Sequence, residues 1–128
     1  MTRRIHWYQD KPTLQRKLKG FNAQGRKYGK PLISLEKLTV WLRKNWKSNC
    51  EWCLRVLDKR NVSFDHRQAL AAGGAHLLDN LAQSCKVCNK RKLASDPAWW
   101  KKFIDFLRAN DKLVWFNVSY KVNWRRRR

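Results

Sequence analysis

Hydrophobic and polar positions fall into three textures along the chain. Residues 1–33 mix basic and aromatic side chains with Gly20, Gly25, Gly29 and Pro31, and carry no sustained period. Within them, residues 12–18 predict a short helix that Gly20 stops, and residues 25–31 read as a basic loop. From Ser34 the pattern turns helical. Leu35, Leu38, Trp41 and Leu42 share one face, Ser34 stands where an N-cap belongs, and Arg43 and Lys44 lie near the C-terminal end. The period changes again in the middle. Residues 54–57 and 62–65 read as short strands joined by a polar turn at 58–61. A glycine-containing loop follows, and a helix begins near Cys88. Asp96 and Pro97 mark a further helix start, with Asp as cap and Pro in the first turn. Its apolar stripe is Trp99, Trp100, Phe103, Ile104 and Leu107, and Asn110 ends it. At this spacing Trp41, Trp99 and Trp100 read as core. Residues 113–122 have strand-like content, and residues 125–128 form a solvated arginine tail.

Composition narrows the class. The 128 residues suffice for one domain. Thirty Lys and Arg against 9 Asp and Glu give a net charge of +21, an excess that calls for a polyanion. A hydrophobic content of 43% with 8 Trp is too high for a disordered basic tail. The core is small, however, and would gain from a staple. No apolar run approaches the ~20 residues of a membrane span, since the most continuous one is broken by Gly73, Gly74 and His76. The N-terminal residues lack the apolar stretch of a secretory signal, so a cytoplasmic chain with reduced thiols is expected.

The four cysteines form two matched turns, Cys50-x-x-Cys53 and Cys85-x-x-Cys88. Two such turns place four sulfurs around one ion, and none is left over. Four free buried thiols account for the spacing less well in so basic a chain, and a redox pair does so less well because neither half sits in a βαβ context. A closed, structural Zn²⁺ site is expected.

Between and beside the knuckles lie Asp65-His66, Gly73-Gly74, Asn80-Leu81 and Cys88-Asn89-x-x-Lys92. This order, nested in two C-x-x-C pairs over residues 50–93, resembles the HNH endonuclease family in its phage-type form. The third signature position, often His, is Asn89. The resemblance implies an α+β fold: a small zinc-stapled ββα-metal core flanked by helices and basic extensions. Residues 1–48 would be a basic extension and helix, residues 49–95 the nuclease core, and residues 96–128 a helix, strand and Arg-rich tail, all within one compact domain. Asp65 and Asn89 would hold one Mg²⁺ or Mn²⁺, His66 would be the general base, and Asn80 would organise the loop that orients it. Zinc would fix Cys88, and through it Asn89. The reaction implied is phosphodiester hydrolysis leaving a 5′-phosphate and a 3′-hydroxyl.

The residues support this chemistry on their own terms. Hydrolysis needs an activated water and a cation on the phosphate; carboxylate and amide oxygens make a hard cation site; imidazole takes protons near neutral pH. Neighbouring strand residues face opposite ways, so Asp65 and His66 can serve one site only where the strand ends or bulges. Double-stranded DNA is the expected partner, in a monomer or a dimer. Lys90, Lys92, Arg26, Lys27, Arg125 and Arg126 are the candidate phosphate contacts. His76 either touches phosphate or fills the loop. Two other functions fit the composition, a zinc-binding nucleic-acid module without catalysis and an RNA-directed nuclease. Asp65, His66 and Asn89 together favour the enzyme, since a binding module has no need of all three.

Overall fold

The computed structural model describes residues 6–110 and 112. After a 3₁₀ turn (Trp7–Gln9), helix α1 (Lys11–Lys27) starts on an Asp10 side chain that accepts from the Thr13 N–H, with Pro12 in the first turn. The expected stop at Gly20 does not occur. An interior glycine costs a helix roughly 1 kcal/mol, but Leu14, Leu18 and Phe21 are buried along one stripe, and each such burial returns about 1.5–3 kcal/mol. Helix α2 (Leu35–Asn45) follows the sequence pattern: the Ser34 hydroxyl accepts from the Lys37 N–H, and Leu38 and Leu42 are buried.

Strand β1 (Val62–His66) pairs with β2 (Leu81–Cys85) in antiparallel register, Val62 opposite Cys85 and His66 opposite Leu81. The expected first strand at residues 54–57 is corrected. Those residues close the first knuckle instead: the Cys50 N–H donates to the Arg55 carbonyl, and the Leu57 N–H donates to Ser48. Leu54 has φ +67, a left-handed conformation no strand admits. Asn49 and Val56 form only an isolated bridge. The hairpin partner of β1 thus lies beyond the Gly-Gly loop. Helix α3 (Lys86–Lys92) leaves β2 directly, and α4 (Pro97–Ala109) starts on the Asp96 cap and ends at Asn110. Trp100 and Ile104 are buried in it, whereas Trp99 is 56% exposed and stacks on Phe103, a correction to its reading as core.

One hydrophobic cluster runs from Trp7 to Ile104 and includes all four cysteines. Helix α1 covers one face of β1, with Phe21 on His66, while Trp7 meets Phe64 on that same face. Helix α3 covers the other, where Asn89 bonds Ser63. Among the described residues no helix is long and apolar enough to cross a membrane. The strand expected at 113–122 and the tail with Arg125 and Arg126 lie outside the described residues.

Candidate active site

The four cysteines converge. Their sulfur atoms lie within 4.8 Å of one another and are buried. Cys53 Sγ and Cys85 Sγ are 3.7 Å apart, far beyond the ~2.05 Å of a disulfide and close to the roughly 3.8 Å edge of a tetrahedron with ~2.3 Å metal–sulfur arms. In each knuckle a backbone N–H points at a sulfur, Trp52 at Cys50 and Cys88 at Cys85, both at 3.4 Å. Crowding splits the acidities. Hydrogen bonds from Cys53, Cys85 and Cys88 lower the pKa of Cys50, while the pKa values of Cys85 and Cys88 are raised, by Cys50 first. All four become thiolates together only beside a cation. The cluster fits a zinc knuckle.

Cys88 and Asn89 are chain neighbours in the first turns of α3. The Asn89 amide donates to Ser63 Oγ on β1, which leaves its oxygen for another partner. Two residues further along the same face of β1, Asp65 is half-buried. Burial raises the Asp65 pKa, and a hydrogen bond from the His66 backbone and the Lys92 ammonium offset this only in part. A carboxylate in that setting favours a cation beside it. Asp65, Asn89 and His66 line one cleft of about 400 Å³, with Gln24 and Tyr28 from the end of α1 and Leu93 from the end of α3. The alternation conflict between Asp65 and His66 is met by geometry, because β1 terminates at His66. A larger groove of about 760 Å³, bordered by Tyr8, Leu14, Leu35 and Arg43, contains none of these groups.

His66 is 3% exposed. Its ring stacks on Phe21 at 4.1 Å and 15°, and its Nε2 lies 2.9 Å from His76 Nδ1. Burial, with His76 second, pushes its pKa down to about 4, and burial lowers that of His76 as well. His76 itself is buried, with its ring against Phe21 and Gly25 of α1. Asn80 staples the 67–80 connection. Its amide donates to the Gln68 and Ala75 carbonyls, and its oxygen accepts from the Gln68 N–H. The Gly-Gly pair has steric reasons: Gly73 has φ +89, and a Cβ on Gly74 would lie 1.9 Å from the Gln68 carbonyl oxygen.

The candidate phosphate contacts divide. Arg26, Lys27 and Lys90 are exposed. Lys92 is fully buried, its Nζ has no hydrogen-bond partner among the described residues, and it lies 5.9 Å from the Trp52 ring. Several residues escaped the sequence reading because their partners are distant. Arg67 forks onto the Glu51 carboxylate of the first knuckle at 2.8 Å and also donates to the Asp79 and Leu81 carbonyls. Asn22 meets His76 at 2.9 Å across 54 positions. The only local signal was that Arg67 follows Asp65-His66.

A cysteine cluster that suggests a zinc site closes a ββα unit, with carboxylate, imidazole and amide on one cleft. Residues 50–95, which span both knuckles, β1, β2 and α3, match the family model for HNH endonuclease. This segment is similar to HNH endonucleases, which supports a nuclease-type function in general. No curated protein sequence matches the chain.

Proposed function

We propose that the protein is a DNA endonuclease or nickase that needs one divalent cation, Mg²⁺ or Mn²⁺, and carries a separate structural Zn²⁺. The observation that carries this reading is the shared cleft, where Asp65, His66 and Asn89 meet at the end of β1. The Asp65 carboxylate and the Asn89 amide oxygen would hold the cation, a hard, oxygen-rich set suited to those ions. When bound, the cation supplies charge stabilisation at the scissile phosphate and the departing oxygen. The His66 imidazole, kept neutral by burial, takes the proton from the attacking water, and the products carry a 5′-phosphate and a 3′-hydroxyl. Ser63 and the knuckle hold Asn89 from both sides. Exposed Arg26, Lys27 and Lys90 neutralise duplex phosphates with little sequence reading, so binding weakens steeply with salt.

The test is nicking or linearisation of supercoiled plasmid with Mg²⁺, with and without chelator, for wild type and His66→Ala. A general base contributes about 10²–10⁴-fold, so the variant should lose that factor while still binding DNA. Equal cutting by both proteins, or cutting that survives chelation, refutes the assignment.

A further inference from the structure

Four groups join in a line that runs from the α1–α2 connection to the candidate base. The Ile33 N–H donates to Asn22 Oδ1 at 3.0 Å, and Asn22 Nδ2 donates to the Ile33 carbonyl at 2.9 Å. A backbone N–H only donates and a backbone C=O only accepts, so Ile33 dictates which end of the Asn22 amide is oxygen. That oxygen also faces His76 Nε2 at 2.9 Å. An amide oxygen only accepts, so His76 Nε2 must carry a hydrogen. In a neutral ring the other nitrogen, Nδ1, is then the acceptor. His76 Nδ1 faces His66 Nε2 at 2.9 Å, so His66 Nε2 must in turn carry the hydrogen. The lone pair of His66 is left on Nδ1.

The surroundings hold this line in place. Burial favours the neutral form of His76, which the polarity requires. Phe21 stacks on the His66 ring and lies tilted at 4.8 Å from that of His76. Gly25, inside α1, makes room: a Cβ there would lie 2.7 Å from three atoms of the His76 ring. Of the two interior glycines of α1, Gly25 is the one at the turn where this imidazole rests.

We propose that His76 and Asn22 are positioning residues that lock His66 in its Nε2–H tautomer and reserve Nδ1 as the proton-accepting nitrogen, with the Ile33 backbone N–H and C=O setting the direction. The catalytic meaning of this lock rests on the reading of His66 as general base; the lock itself does not.

The experiment uses the full chain, zinc-loaded and free of Mg²⁺, with ¹⁵N-labelled histidine, and reads each ring's tautomer from two-bond ¹H–¹⁵N correlations at neutral pH. Wild type should show His66 and His76 as single Nε2–H tautomers. His76→Phe and Asn22→Leu should each release His66 into a tautomer mixture, and Gly25→Ala, which crowds the ring, should do so in part. His76→Gln, which retains an acceptor, should restore the single form. Plasmid cleavage with Mg²⁺ should fall about 10–100-fold in the first two variants, the range typical of groups that orient a functional imidazole, and recover in His76→Gln. The wild-type spectrum is decisive even where a variant fails to fold. His66 as an Nδ1–H tautomer in wild type, or a single unchanged tautomer in folded His76→Phe, overturns the proposal. The expected tautomers with no Mg²⁺-dependent cleavage support the lock and overturn the nuclease reading instead.

Discussion

On one face of β1, Val62, Phe64 and His66 point toward α1 and are sealed; on the other, Ser63 and Asp65 point toward α3 and stay half-buried beside the cleft. The sealed face spends its polar valence internally. His66 is committed to His76 at one nitrogen and to Phe21 across its plane. The open face holds its valence back: among the described residues Asn89 uses its amide donor, on Ser63, and Asp65 sits in a setting that disfavours its own charge. One face fixes a direction and the other leaves oxygens for a ligand. Because the two meet where β1 ends, a strand of five residues serves both.

Damage to the zinc frame should erase the contrast altogether. Cys85 ends β2 opposite Val62, and its sulfur caps α3, so both faces hang from it. If the cluster holds zinc as proposed, Cys85→Ser should lose that ion and several kcal/mol of stability, given that structural zinc is worth ~10–16 kcal/mol in small fingers. Elemental analysis with a thermal melt checks this. A zinc-free protein melting at the wild-type temperature would disprove the structural role.

Changing Asn89 should alter the open face alone. Asn89→Ala removes an oxygen and should abolish most Mg²⁺-dependent cleavage while zinc content stays at one per chain. Asn89→His places a borderline nitrogen beside Asp65 and should broaden the usable ions toward Ni²⁺ and Co²⁺. A panel of divalent ions in the plasmid assay reads both. Wild-type preference for Ni²⁺, or full Mg²⁺ activity in Asn89→Ala, would detach the residue from the cation.

The smallest effect is expected at the first knuckle. Leu54 is held at φ +67 with its side chain half exposed, a conformation that costs a non-glycine residue on the order of 1 kcal/mol. Leu54→Gly should therefore be neutral or raise stability by less than about 1 kcal/mol, with cleavage unchanged. Clear destabilisation in a denaturant titration would mean that the leucine contributes packing that outweighs its strain.

What could be read from the sequence was local. Ser34 and Asp96 cap helices through bonds to residues three positions on, and both elements began where those side chains said. The paired cysteines declared their cluster by spacing. Residues 54–57 misled because their β-type side chains belong to a loop shaped by knuckle closure, a constraint set by Cys85 and Cys88 far along the chain. Helix α1 outran Gly20 because Phe21 and Gly25 are placed by β1 and His76, not by intrinsic propensity. Asp65, His66 and Asn89 stood out as a motif, but how each ring or amide is oriented depends on Asn22, Ser63 and Ile33. Nothing near those residues in sequence marks them.

The floor beneath His66 has a consequence for modularity. Phe21, Asn22 and Gly25 lie on α1, outside the segment 50–95 that carries the family match. That segment is thus an incomplete part. Cut out and transplanted into another chain, it would carry its cysteine cluster and its open face, yet its two imidazoles, still paired with each other, would lose the Phe21 ring that covers them and the Asn22 amide that sets the direction of their bond. A recipient would have to bring a helix of its own with a flat aromatic, an amide and a glycine at matching heights.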